Sequence, residues 1–282
     1  MPLIKDFSQF LEEQVAKNPK GQKLFRMLEP APLALKQRGQ TCKLNALSMV
    51  LNWLHQPANK IKPWPVLKNK SSADANERSD YSLRKLAKKY NSQVGEIYSI
   101  KTLAAIAHDC GYADTAVIDV DDKNYVNTVI NLINENKAPI VFFDVNFDYE
   151  PDNLQSAREH AAVTIGYFRH KTEGKMCFIL AQWGNYFWEK ADAIAESANQ
   201  LSTCREPETF YKYGNIWYEQ AALMKKNPEL FVQPADKTRK ALPLPETDGG
   251  LKSKIFVVNK PSNSLLKMTD FESSNDLLRK RW

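Results

Sequence analysis

Three apolar segments follow one another directly after Pro139, and each reads as a buried β-strand. Ile140–Val145 (IVFFDV), His160–Phe168 (HAAVTIGYF) and Met176–Gln182 (MCFILAQ) are dense in β-branched and aromatic residues. The polar turn RHKTEGK joins the last two, and Asn185–Trp188 (NYFW) follows Gly184. Before Pro139 the apolar residues recur instead at helical spacing. A chain that is mainly helical in its first half and opens its second on antiparallel strands is α+β, a helical layer packed on a sheet.

The helical half divides at its prolines and polar stretches. Phe7, Phe10, Leu11 and Ala16 share a helical spacing, as do Leu24, Phe25 and Leu28, and Pro30 and Pro32 stop that element. Cys42–His55 (CKLNALSMVLNWLH) carries a stripe of Leu44, Leu47, Leu51 and Leu54, widened by Ala46, Val50 and Trp53, so this helix is central. Residues 56–80 are rich in Pro, Lys, Asn and Ser and read as a long loop. Helices follow near Tyr81–Tyr90 and Ile100–Cys110, the second with Ser99 as N-cap and Gly111 as its stop. Thr115–Asp119 is a short strand, Asp122–Asn136 an amphipathic helix, and Ala191, Ile194, Ala198 and Leu201 mark another helix. The stretch from about Pro234 reads as a linker, and Ile255–Val258 adds an edge strand. The expected organisation is an N-terminal helical extension over 1–30, one domain over 31–233 and a partly linker-like extension over 234–282.

Composition narrows the function classes. The formal net charge of +6 is small for 282 residues, and its basic runs, Arg84–Lys89 and Arg279–Arg281, suit a solvated helix face and a tail. Nucleic acid is therefore not the expected partner. Four cysteines without a CxxC pair signal neither a disulfide framework nor a zinc site. The longest apolar runs, such as Ala161–Phe168, are too short to span a bilayer, and the charged amino terminus has no signal-peptide core. A cytoplasmic protein without metal or cofactor is expected. There is no HExxH or GxSxG, and ten glycines make no phosphate-cradling loop.

One constellation carries chemistry. Cys42 stands where a polar loop meets the first turn of the apolar helix, and the helix dipole there favours thiolate over thiol. His160 opens a strong strand, from which an imidazole projects toward the end of a packed helix. If residues 160–168 and 174–182 pair so that opposite numbers sum to 342, Gln182 lies directly across from His160. Its amide would then fix the tautomer of the base, with Asn185 in reserve. A one-residue slip would turn Gln182 to the other face. Gln37 and Gln40 are candidate oxyanion donors beside the Cys42 backbone N–H.

Gln37 and Cys42 followed by ALSMVLNWL resemble the nucleophile helix of papain-like cysteine peptidases, especially the bacteriocin-processing branch. PIVFFDV, HAAVTIGYF and FILAQWGNYFW resemble the papain-type order of strand, histidine-led strand and strand ending in Trp-Gly. The run Trp183-Gly184 to Tyr186-Phe187 also resembles a motif of secreted effector cysteine proteases of bacterial pathogens. The resemblance covers about Leu33 to Trp188. It implies a papain-like fold with a central nucleophile helix, Cys42 as nucleophile, His160 as base and acid, and Gln37 as oxyanion donor. Two positions depart from it: Lys43 replaces a glycine, and the family's asparagine falls on Ala181 unless a bulge brings Gln182 round.

The implied activity is a cysteine-dependent hydrolase, chiefly a peptidase, acting on protein or peptide through a thioester. Deamidase and transglutaminase chemistry would use the same residues. A catalytically silent papain-like domain serving as a binding module is the alternative from another class. The effector likeness adds an expectation of delivery into a host cell without a signal peptide. The loops 56–80 and 146–159 would flank the cleft and set specificity.

Overall fold

The computed structural model describes residues 1–17, 24–37, 41–54, 83–90, 95, 97, 99–156, 158–201, 209–213, 216–219, 237–239 and 250–260. The loop expected over 56–80, together with Gln40, His55, Cys204 and the basic tail Arg279–Arg281, lies outside these residues, as does most of the expected linker. Along the chain run α1 (Phe7–Lys17), β1 (Phe25–Met27), α2 (Cys42–Leu54), α3 (Leu83–Lys89), α4 (Ile100–Asp109) and β2 (Thr115–Asp119). Then come α5 (Tyr125–Asn134), β3 (Ile140–Val145), β4 (Pro151–Asp152), β5 (Glu159–Arg169), β6 (Met176–Gln182) and β7 (Asn185–Lys190). The last are α6 (Ala191–Asn199), β8 (Thr209–Tyr213), β9 (Ile216–Glu219), β10 (Lys237–Arg239) and β11 (Lys254–Val258).

Helices and an antiparallel sheet share one core. Among the described residues, eight strands form a sheet in the order β2-β11-β3-β5-β6-β7, with β1 added to β5 and β4 to β3. Strands β8, β9 and β10 make a separate small sheet. All six residues of β3 and residues 160–168 of β5 are buried. That two-sided burial is why these strands read as continuous apolar runs rather than alternating ones. Helix α2 lies against β5 and β6, and α3 and α4 pack onto it. Residues 42–51 of α2 are buried without exception, as its near-circumferential apolar surface requires. Ser99 caps α4 by accepting from the Thr102 N–H at 3.2 Å, and Gly111 follows at a φ of 87°.

Two sequence expectations are corrected. The apolar residues around Leu24–Leu28 do not continue the first helix; Phe25–Met27 is a strand paired with residues 166–168 of β5. The cause is non-local, a backbone approach that Gly166 alone permits. A Cβ there would lie 2.6 Å from the Arg26 carbonyl oxygen. Gly166→Ala is therefore expected to lower the unfolding free energy by about 1–3 kcal/mol, read by urea denaturation. An unchanged midpoint would mean that β1 does not dock there. The second correction concerns Ile255–Val258, which is an interior strand between β2 and β3, not an edge. Its four residues are buried, so it joins the core from beyond residue 250.

Candidate active site

Helix α2 begins at Cys42, because the Asn45 N–H donates to the Thr41 carbonyl at 2.7 Å as the first intrahelical bond. The Cys42 backbone N–H therefore belongs to the first turn, at the positive end of the helix dipole. The segment ahead of the helix is tied down along its length. Trp53 Nε1 donates to the Pro30 carbonyl at 2.6 Å, and Asn45 Nδ2 donates to the Leu35 carbonyl at 2.9 Å. That clasp fixes the approach to half-buried Gln37. Cys42 Sγ lies 3.8 Å from the Glu159 carbonyl oxygen, one residue before His160.

His160 sits across from Phe143 of β3, the two rings meeting edge-on with centroids 5.6 Å apart. Its Nε2 is 2.8 Å from Gln182 Oε1, and both side chains are buried. Trp183 stacks on the imidazole at 4.3 Å. The His160 pKa is held down to about 3, chiefly by burial, against the Gln182 hydrogen bond and with a smaller push from the Lys43 ammonium. At neutral pH the ring is neutral. With the amide oxygen accepting, Nε2 carries the proton and Nδ1 keeps its lone pair. Gln182 Nε2 in turn donates to Met1 Sδ at 3.2 Å, which fixes the amide in that orientation.

The pairing that brings Gln182 to His160 is not the one the sequence led us to expect. Val163 pairs with Ala181 and Thr164 with Leu180, but beyond them Gly166 pairs with Ile179 and Tyr167 with Phe178. Ile165 is the extra residue of a β-bulge. One step further Gln182 comes level with Ala162, so it reaches His160 diagonally from the same face. Had the Gly166–Arg169 register continued, Gln182 would stand level with Val163 and face the other way. The bulge restores the side that a regular hairpin would lose.

A two-residue turn completes the site. Gln182 and Asn185 pair across Trp183 and Gly184, whose φ angles of 50° and 80° are both positive, as a type I′ hairpin requires. Trp183 is thereby aimed at His160 on one side and at exposed Tyr149 on the other, 5.0 Å away. At Gly184 a Cβ would meet Lys36 Cγ at 2.6 Å, so this glycine admits the segment leading to Gln37. Asn185 is exposed and its Nδ2 donates to the Trp183 carbonyl at 3.4 Å. Gln182, not Asn185, is what partners the imidazole.

Several contributors escaped sequence reasoning. Lys43 forms an ion pair with Glu159, Nζ to Oε2 3.5 Å, with both side chains almost wholly buried. Asp144, at the end of an apolar run, accepts from the Ser156 and Arg158 N–H groups at 2.8 and 3.0 Å and from Gln200 Nε2 at 2.9 Å. It holds the loop that delivers His160, and its charge inside IVFFDV was the available signal. Burial pushes the thiols of Cys110 and Cys177 up to about 12, which leaves them as core residues. Among the described residues no His, Cys, Asp and Glu cluster could hold a metal ion.

Cys42 and His160 both fall within a stretch that matches a family model. Residues 33–168 match the family described as actin maturation protease-like, C-terminal domain. The match takes in somewhat less than half of the 282 residues and ends before Gln182. The chain is thus similar to a protease-like domain, one named for neither branch that its motifs resemble. No curated protein matches it. The solved structures it matches include that of UfSP from C. elegans, at 10% identity and a TM-score of 0.38. That alignment covers 87% of this chain but only 36% of the other. Among the described residues no helix is long and apolar enough to cross a membrane.

Proposed function

We propose that this chain is a cysteine-dependent hydrolase, most specifically a peptidase of papain-like arrangement, with Cys42 as nucleophile, His160 as base and acid, and Gln182 as orienter. The observation that carries the reading is the His160 Nε2 to Gln182 Oε1 hydrogen bond of 2.8 Å. It leaves the basic lone pair on Nδ1, at the strand entrance that Cys42 abuts. The similarity of residues 33–168 to a protease-like domain supports the same class.

In this mechanism His160 Nδ1 takes the Cys42 proton and the thiolate attacks the substrate carbonyl. The oxyanion is met by the Cys42 backbone N–H and the Gln37 amide. The imidazolium returns its proton to the departing amine, and a thioester remains. Water, activated by His160, then releases the acid. If ammonia leaves first, or an amine replaces water, the same residues perform deamidation or transglutamination.

A second reading is favoured by one observation: Cys42 and His160 are only 5% and 4% exposed. A silent papain-like domain used for binding would show such closure. Iodoacetamide alkylation of Cys42, followed by mass spectrometry across pH, separates the two. The enzyme reading predicts rapid labelling with a midpoint well below the free-thiol value of about 8.5, slowed in His160→Ala. Slow labelling that ignores His160 would leave the binding module.

A further inference from the structure

We infer that the buried Lys43–Glu159 ion pair is a positioning device that sets the approach of Cys42 to His160; the inference rests on the cysteine-hydrolase reading. The pair joins the residue after the proposed nucleophile to the residue before the proposed base. Two contacts stand side by side there: Cys42 Sγ to the Glu159 carbonyl at 3.8 Å, and Lys43 Nζ to Glu159 Oε2 at 3.5 Å. Together they join the first turn of α2 to the first residue of β5. Fixing the backbone on both sides of the gap fixes the gap.

Stability alone does not account for the pair. The side chains of Lys43 and Glu159 are 1% and 3% exposed, in a helix turn where Cys42, Leu44, Asn45 and Ala46 are also buried. Two charges withdrawn from water in this way hold a fold no better than apolar residues of similar volume. What they add is geometry: two opposite charges buried 3.5 Å apart resist separation in a low-dielectric interior, whereas an apolar contact tolerates sliding. Displacement of reacting groups by about 1 Å costs on the order of a hundredfold in rate. Lysine also stands where the resembled family has glycine, and only a side chain of its length reaches from the helix to the strand.

The test uses the full chain, with iodoacetamide as probe and Cys42 labelling read by mass spectrometry over a pH series. Lys43→Met combined with Glu159→Leu removes both charges while keeping volume. This variant is expected to keep the wild-type melting temperature or exceed it, yet label Cys42 about ten- to a hundredfold more slowly at neutral pH, with an altered pH profile. Lys43→Arg, which keeps the charge, is expected to stay within a few-fold of wild type. A folded double variant with the wild-type rate and profile would overturn the positioning role and leave the hydrolase reading standing. Wild-type labelling indifferent to His160→Ala would overturn both. If the double variant does not fold, Glu159→Gln decides the matter by the same two readouts.

Discussion

Gln182→Leu is expected to lower kcat for amide hydrolysis by up to about 10⁴-fold, the loss seen when the group orienting a catalytic histidine is altered. KM should change little, because Gln182 is buried behind His160 rather than exposed to substrate. The loss has two sources. Without the amide oxygen, Nε2 no longer holds the proton preferentially, so part of the population carries its lone pair on the wrong nitrogen. The buried Nε2 is also left without its 2.8 Å partner. Gln182→Asn withdraws the amide by one methylene and is expected to fall between the two. Gln182→Glu keeps an acceptor and should retain more turnover while raising the His160 pKa, since a carboxylate stabilises the imidazolium. Where no substrate is in hand, Cys42 alkylation at neutral pH ranks the same series. Wild-type turnover in Gln182→Leu would mean that Trp183 stacking alone orients the ring, and the three-residue assignment would fail.

The residue types at this site were readable in the chain, while their registration was not. Cys42 at a helix start and His160 at a strand start follow from local apolar periodicity, which is a short-range signal. Gln182 follows from hairpin geometry only as far as parity, and parity turns on one extra residue. Nothing in HAAVTIGYF marks Ile165 as unpaired. The glycine beside it is explained by β1 crossing at Arg26 and Met27, a contact made from elsewhere in the chain. The same non-local origin explains why β1 read as helix: three residues are too few for any period to speak. β11 differs, because KIFVV has the unbroken apolar character of a strand covered on both sides, and its interior place was legible in principle. Lys43 stood out only as a departure from the resembled pattern, and its pairing with Glu159 left no local trace, since each is an ordinary charge until the fold brings them together.

Acid is expected to destabilise the wild type through His160 more than through an average histidine. The sign follows from where the proton goes. In the native state burial holds the imidazole pKa down to about 3, against an ordinary value of 6.5. Between those limits the unfolded chain binds a proton that the folded one refuses, so stability rises with pH there. The contribution is complete above about pH 6.5, shrinks as pH falls, and is exhausted near pH 3. Between pH 7 and pH 4 the loss from this one residue is on the order of 3 kcal/mol, a large share of the 5–15 kcal/mol typical of a domain. His160→Asn removes the titration. Its stability at pH 7 should be lower, because the ring contacts with Phe143 and Trp183 are gone. Its unfolding free energy should nevertheless decline less steeply toward pH 4, and the two urea-denaturation curves against pH should converge. Parallel curves would mean that His160 titrates alike in the native and unfolded states, so that burial does not hold its pKa down.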